Sequence, residues 1–364
     1  MAGSLALGIL ALGFLIVVHE AGHYVVARWC KMRVERFSVG FGPGILKRKA
    51  KSGTTFHLAP IPFGGFVEIR GMNIAEDVDP DDVQAYPNRP AWQRFLTILA
   101  GPATNYISAI FLAFALYTCD GMPTYETTYV GEITEGYGAV GKLEVGDRIV
   151  AVDGVSMFSP DSKQLAAMIA KKPGKPIEVV VVRNDTIPLT FSITPLSQKD
   201  PKTGKVLLFN EEGKEDPNGK EHPILGIKLS PDTVPVGVGT AASNAITYPV
   251  RQTKVILSGL HDIFTGKEEA DPGGPVRIVG EFKNAFSKGL AEGIRLLMML
   301  SVYLGLFNLF PLPALDGGRL VFLTYEMVTR RRANPKIETM VHMGGIMVLM
   351  VVMILVTLRD FKVF

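Results

Sequence analysis

Cysteine is nearly missing from this chain: Cys30 and Cys119 are the pair it carries among 364 residues. That excludes a disulfide framework, and because the two flank different apolar runs at opposite ends they are not expected to pair. Strong net charge is missing too, the balance being +3. No stretch interleaves basic with aromatic side chains, which excludes a nucleic-acid surface. Internal repeats and low-complexity tracts do not occur, which excludes a repeat array. The scarcity with the largest consequence is local. Charged residues make up 20% of the chain, yet Ser4 to Ala27, Phe95 to Thr118, Leu296 to Leu315 and Met340 to Leu358 contain almost none. Each run is ~18 residues or longer, enough to cross a ~30 Å hydrocarbon core as a helix. A helix on a soluble core keeps one polar face, and these runs have none. With a mean hydropathy of +0.24, the composition specifies a polytopic α-helical membrane protein with four transmembrane helices.

The first run lacks the basic flank and cleavage site of a signal peptide and is too long for its apolar segment. It reads as a retained helix. Orientation follows from the basic residues. Residues 28–51 carry eight of them against one acid, Glu35, and Arg330, Arg331, Arg332 and Lys336 follow the third run. The positive-inside rule puts both loops in the cytoplasm. The N-terminus, the segment between crossings two and three and the C-terminus then lie outside.

Four regions follow along the chain. Residues 1–118 hold crossings one and two and, between them, a loop in which "FSVGFGPGI" and "FHLAPIPFGGFVEI" read as short strands broken by Gly and Pro. These are too apolar for a plain solvated loop, and a membrane-associated β-hairpin is expected. Residues 119–232 form a separate polar, β-rich domain on the outer side. Strands are expected at Tyr129 to Ile133, in "LEVGDRIVAVDG", "PIEVVVVRN" and "IPLTFSIT", and at Ile224 to Leu229, with a helix over Ser162 to Lys171. Lys199 to His222 reads as a flexible insertion. Residues 233–293 are amphipathic and interfacial, with Val250, Ile256, Leu257, Leu260 and Phe264 on helical spacing and "DPGGPVRIVG" interrupting them. Residues 294–364 hold crossings three and four.

The chemistry sits in the first run. His19, Glu20, Ala21, Gly22 and His23 spell H-E-x-x-H, and residues four apart share a helix face. Both imidazoles can therefore reach one metal ion, with Glu20 placed to take a proton from water. An ionisable group at mid-bilayer costs ~2.5 kcal/mol or more and marks function by default. Two histidines leave a hydrolytic zinc site one ligand short. His57 and His222 lie in loops, His261 lies in the outer amphipathic segment, and His342 starts crossing four on the inner side. Asp316 is the better candidate: crossings one and three run in the same direction, which sets it at a depth comparable with His19 and His23. Pro311 and Pro313 cannot continue a regular helix, so a wet cavity is expected at Asn308 to Gly318. Asn308 offers an amide to a substrate carbonyl or developing oxyanion, or a helix–helix hydrogen bond. Gly101 and Pro102, in "AGPATN" (Ala100 to Asn105), read as a packing or kink motif.

"HEAGH", "FSVGFGPGI", "IPFGGFV", "AGPATN", "GGPVRIVG" and "NLFPLPALDGGR", in this order over nearly the whole chain, resemble the site-2 proteases, the intramembrane zinc metalloproteases, in their bacterial RseP-like group. The resemblance implies a multi-pass protein of the bacterial cytoplasmic membrane, with the active site near the cytoplasmic side. It implies Zn²⁺ held by His19, His23 and Asp316, Glu20 as general base and Asn308 as the substrate-stabilising asparagine. Residues 127–230 resemble a circularly permuted extracytoplasmic PDZ domain, and there is room for one copy where many Gram-negative relatives have two. Implied partners are membrane lipid and single-pass substrates, such as anti-sigma factors or signal-peptide remnants, whose outer regions a PDZ groove would filter.

The mechanism so implied has a substrate helix unwind, lie along the "IPFGGFVEI" edge by strand addition and be hydrolysed with Glu20 carrying the proton. Two other classes fit parts of the pattern. Some zinc transporters carry an HExPH motif, but a large outer β-domain and the lack of a second histidine-rich helix argue against transport; zinc uptake into proteoliposomes discriminates. A catalytically inactive PDZ scaffold has no use for an intact Glu20.

Overall fold

Four helices in the computed structural model are long and apolar enough to cross a membrane: Ala6–Trp29, Ala91–Cys119, Leu290–Leu309 and Lys336–Asp360. The structure describes the chain apart from residues 1, 74–75, 77, 157–164, 166–167, 171, 184–187, 200–204, 210–218, 268–272 and 361–364. The chain divides into two compact units, Met1–Cys119 with Gly237–Phe364, and Asp120–Val236.

The helices of the first unit are α1 (Ala2–Trp29), α2 (Ala91–Cys119), α3 (Val238–Phe264), α4 (Pro275–Lys288), α5 (Leu290–Leu309), α6 (Asp316–Thr329) and α7 (Pro335–Asp360). α2 is the hub, packed on α1, α3, α5 and α6. Its crossing with α1 is close because Gly22 and Gly101 face the partner helix. A Cβ on Gly22 would lie 2.3 Å from the Ala100 carbonyl oxygen. Small residues permit such approaches where lipid offers no hydrophobic drive. α6 is tied to α2 by Arg94, 5% exposed, whose Nη2 lies 2.5 Å from Glu326 Oε1.

The helix of the third apolar run ends before the run does. α5 stops at Leu309, Phe310 turns extended, and α6 restarts at Asp316. Pro311 and Pro313 lack the N–H groups that would continue the ladder. The sequence reading placed no helix between this run and the fourth; α6 fills that interval. Another correction concerns "DPGGPVRIVG". Pro275 begins α4, so the second half of that segment is helical; proline is at home in a first turn, where its missing N–H is no loss.

Between α1 and α2 stand β1 (Val34–Phe41), β2 (Leu46–Lys49), β3 (Thr55–Leu58) and β4 (Ile61–Ile69). They form not a hairpin but a four-stranded sheet in the order β2-β3-β1-β4. β1 pairs parallel with β3 and antiparallel with β4, although β3 and β4 are separated in sequence by Ala59 and Pro60 alone. Alternating apolar residues mark a strand, but partner choice is a long-range matter. Gly65 brings β4 against α1: a Cβ there would lie 3.0 Å from Ile16 and 3.3 Å from Glu20 Cγ.

The second unit is built on β5 (Met122–Ile133), β6 (Arg148–Val152), β7 (Val155–Ser156), β8 (Ile177–Val182), β9 (Leu189–Ile193) and β14 (Ile227–Val234), in the order β14-β5-β6-β8-β9 with β7 on β6. Two short pairs add β10 (Leu196–Ser197) with β13 (Pro223–Ile224), and β11 (Leu208–Phe209) with β12 (Lys220–Glu221). Asp153 and Gly154, with φ of 49° and 75°, make the two-residue turn from β6 to β7 that matches strand twist. Inward positions Val130, Ile149, Val179, Val181 and Ile193 are buried. Met122 pairs with Val234, so the unit begins and ends on adjacent strands, the arrangement that lets a domain sit within another chain segment. "ILGIKL" breaks at Gly226 (φ 77°) into β13 and β14. Of the helix expected over Ser162 to Lys171, Leu165 and Met168–Ala170 are helical and the rest lies outside the described residues. The segment Lys199 to His222 holds the β11–β12 pair; most of its remainder lies outside the described residues.

One ion pair locks this sheet. Asp147, 1% exposed, accepts from Arg183 Nε at 2.7 Å, from Nη2 at 2.8 Å, and from the Glu144 amide at 2.8 Å. Burial opposes the charge, but the Arg183 fork and the Glu144 amide outweigh it and hold the carboxyl below its usual range. A depressed carboxyl stabilises the fold above its unfolded pKa, ~3.9, and loses that contribution as pH falls through the lower folded value. Hydrogen-exchange protection of the β6 and β8 amides in the intact chain is therefore expected to fall below about pH 4. Asp147→Asn is expected to weaken protection at neutral pH by ~1–3 kcal/mol and to flatten that acid limb. Equal acid limbs in both proteins would remove Asp147 as the cause.

Candidate metal centre

α1 presents His19 and His23 one turn apart on the face turned to α2, and both are 8% exposed. The break between α5 and α6 delivers Asp316 to the same point. His19 Nε2 and His23 Nε2 are 3.3 Å apart. Asp316 Oδ2 lies 3.1 Å from the first and 3.3 Å from the second. Among the described residues these three are the group of histidine, cysteine and acidic side chains whose ligand atoms converge within 4.8 Å.

The spacing tests whether a metal fits. A tetrahedral ion with bonds of ~2.0–2.1 Å holds its ligand atoms ~3.3–3.4 Å apart, and the three observed separations match that edge. The His23 tautomer agrees. His23 Nδ1 lies 2.8 Å from the Thr97 carbonyl oxygen, which can only accept, so the proton is on Nδ1 and Nε2 is bare. The bare His23 nitrogen and the carboxylate oxygen, 3.3 Å apart, repel unless a cation sits between them. Asp316 Oδ2 is correspondingly buried without a regular hydrogen-bond donor. The residues fit a zinc ion.

Glu20 lines the same cavity, a cleft of about 1170 Å³, together with Val67 of β4. Asn308 and Asp316 lie on the cavity wall too, as the two prolines foreshadowed. Asn308 Nδ2 donates to the Leu304 carbonyl at 2.9 Å, so in this state its amide is turned back on its own helix. His342 lines the cavity but is no third ligand: its Nδ1 accepts from the Ala314 amide at 3.3 Å, bracing the prolyl loop. His57 stands in β3 and His261 in α3, and neither joins the cluster. Tyr86, also on the wall, is pushed by burial up to about 12 and stays a neutral hydroxyl.

Two contacts escaped the sequence reading. The Thr97 carbonyl on His23 is backbone and leaves no sequence signal. Asn105, fully buried, places its side-chain amide 3.0 Å from His19 Nδ1; an amide inside an uncharged run was the available hint. "AGPATN" therefore packs through Gly101 and also reaches the site.

Two histidines of an HExxH helix meeting a distant carboxylate at tetrahedral spacing, inside helices of membrane-crossing length, make the arrangement of a membrane metallohydrolase. The sequence profile of Peptidase family M50 matches residues 7–352. A protein of Agrobacterium fabrum named "Putative zinc metalloprotease" is 30% identical over 97% of this chain and 94% of its own length. The regulator of sigma-E protease RseP of Escherichia coli is 30% identical over 98% of both chains. That alignment spans 444 positions against 364 residues here, so the relative carries inserted sequence. Among solved structures, the PDZ domain of the SdrC-like protein from Listeria monocytogenes aligns with 30% of this chain and 92% of its own, at 21% identity and a TM-score of 0.21. The chain belongs to peptidase family M50, the site-2 proteases: it is a membrane zinc metalloprotease.

Proposed function

We propose that His19, His23 and Asp316 hold the zinc, that Glu20 is the proton carrier, and that Asn308 steadies the scissile carbonyl of a single-pass membrane protein cleaved within or near its transmembrane segment. The observation that carries this is the 3.1–3.3 Å triangle of ligand atoms with Glu20 beside it in one cavity. Zinc, when bound, supplies a Lewis acid that acidifies water and polarises a carbonyl.

The rest is the work of the chain. β4 pairs with β1 on one side and packs on α1 on the other, and Phe66 and Val67 line the cavity. A substrate helix shields its peptide bonds in its own ladder; unwound, it can lie along β4 and be held by main-chain hydrogen bonds. Glu20 takes a proton from the attacking water and returns it to the leaving amine. Asn308 must release the Leu304 carbonyl to donate to the substrate, which makes its engagement a consequence of binding.

The basic loops support an orientation with the β1–β4 sheet on the cytoplasmic side of a bacterial inner membrane. On that reading the second unit is extracytoplasmic. Its sheet and the "LEVGDRIVAVDG" turn support a single PDZ domain that filters substrates by their outer regions. Co-expression with candidate single-pass proteins tests the function. A shortened product is expected with the wild-type protein and is expected to vanish on zinc chelation of the purified enzyme. Zinc uptake into proteoliposomes without cleavage would instead establish a transporter.

A further inference from the structure

We propose that Asn105 is a positioning residue for the metal centre: its side-chain oxygen accepts the Nδ1 proton of His19 and fixes that imidazole with Nε2 bare toward the ion. The proposal rests on His19 being a zinc ligand.

The two histidines stand on one helix, and each has its outer nitrogen held by α2. For His23 the holder is the Thr97 carbonyl at 2.8 Å, an atom that can only accept, so that ring's tautomer is settled. For His19 the holder is the Asn105 side chain, whose Nδ2 is placed 3.0 Å from Nδ1. An amide nitrogen there would donate, put the His19 proton on Nε2, and aim it at His23 Nε2 and Asp316 Oδ2. That arrangement cannot bind a cation. The oxygen and nitrogen of a side-chain amide are assigned from the network around them, and here the network favours the exchange. Asn105 Oδ1 has no hydrogen-bond partner where it stands, so turning the amide over breaks no other bond. With oxygen toward His19, both rings carry their proton on Nδ1 and both present Nε2 to the metal, the usual outer-shell arrangement of zinc-bound histidine.

Asn105 is itself held. Its backbone carbonyl accepts from Ser301 Oγ at 2.9 Å and from Ser108 Oγ at 2.9 Å, and the two hydroxyls are 2.7 Å apart. Ser301 belongs to α5, the helix that leads into the prolyl loop and Asp316. The same small network thus links the helix that orients His19 to the helix that delivers the carboxylate.

The test is zinc affinity of the full chain in detergent, measured by competition with a chelator, in wild type, Asn105→Leu and Asn105→Asp. Leucine keeps the bulk and removes the acceptor; aspartate keeps the acceptor and removes the donor. Asn105→Leu is expected to bind zinc ~10–100-fold more weakly while its metal-free form unfolds at the wild-type temperature. Asn105→Asp is expected to bind within a few-fold of wild type or tighter. Cobalt in place of zinc gives a second readout: a turned imidazole alters the visible absorption of the Leu variant and not of the Asp variant. Unchanged affinity in Asn105→Leu, or a loss of ten-fold or more in Asn105→Asp, overturns the proposal. If the Leu variant does not fold, the Asp variant decides, because a donor role predicts loss there and an acceptor role predicts retention. A wild-type protein that binds no zinc would instead remove the reading of His19 as a ligand, an outcome distinct from both.

Discussion

Glu20→Gln is expected to abolish detectable cleavage while leaving one zinc per chain. The substitution keeps shape and size, and glutamine fills the same place on the cavity wall. What is lost is the capacity to take and return a proton. General acid–base catalysis contributes ~10²–10⁴-fold in rate, so a loss in that range is expected at every substrate concentration, in kcat and not in KM. Metal content by elemental analysis and product formation on the same sample separate the possibilities. Full zinc with full cleavage would mean another group carries the proton. A fall in zinc would mean Glu20 helps to hold the ion.

Gly101→Ala is expected to be as damaging, by a different route. Taken alone, alanine favours a helix over glycine by about 0.5–1 kcal/mol, so a reading confined to α2 predicts a mild gain. The structure reverses the sign. A Cβ at this position would lie 2.2 Å from His23 Nε2 and 2.9 Å from His19 Cε1. Neither ring has room to yield, because His23 is tied to the Thr97 carbonyl and His19 to Asn105. Either the imidazoles turn out of the tetrahedral triangle or α1 moves off α2. A drop in zinc affinity of about a hundred-fold or more is expected, beyond what losing an outer-shell partner brings, with cleavage lost in proportion. A variant that binds zinc as wild type does would mean that α1 and α2 do not cross as closely as Gly22 and Gly101 allow.

These two expectations draw on different kinds of information. Glu20 was legible from sequence because its neighbours lie on the same helix: i and i+4 spacing is a local consequence of 3.6 residues per turn. The four apolar runs were legible for a similar reason, since a bilayer imposes its thickness on each segment separately. The two prolines after Asn308 announced a break because each removes its own N–H, whatever surrounds it. Asp316 was reached by comparing the depths of crossings one and three, an inference that the lipid boundary made possible.

The remainder depended on partners far away in the chain. The β1–β4 region looked like a hairpin because the apolar pattern marks strands and is silent on pairing; β1 chose β3 in parallel and β4 in antiparallel, and that choice brings Val67 to Glu20. Gly101 read as packing because its effect on His23 appears once two helices are set side by side. Asn105 carried no local sign of its target, 86 residues earlier in the chain.

By itself the sequence determined the four helices of membrane-crossing length, the paired imidazoles with their glutamate, and the prolyl interruption. Each of these is fixed within a few helical turns by backbone geometry or by the solvent around it. Tertiary structure alone decided the 3.1–3.3 Å triangle of ligand atoms, the strand order beside it and the α2 groups that hold each ring. Those distances are set where separate elements meet, and the meeting depends on close packing between glycines that no single segment can encode.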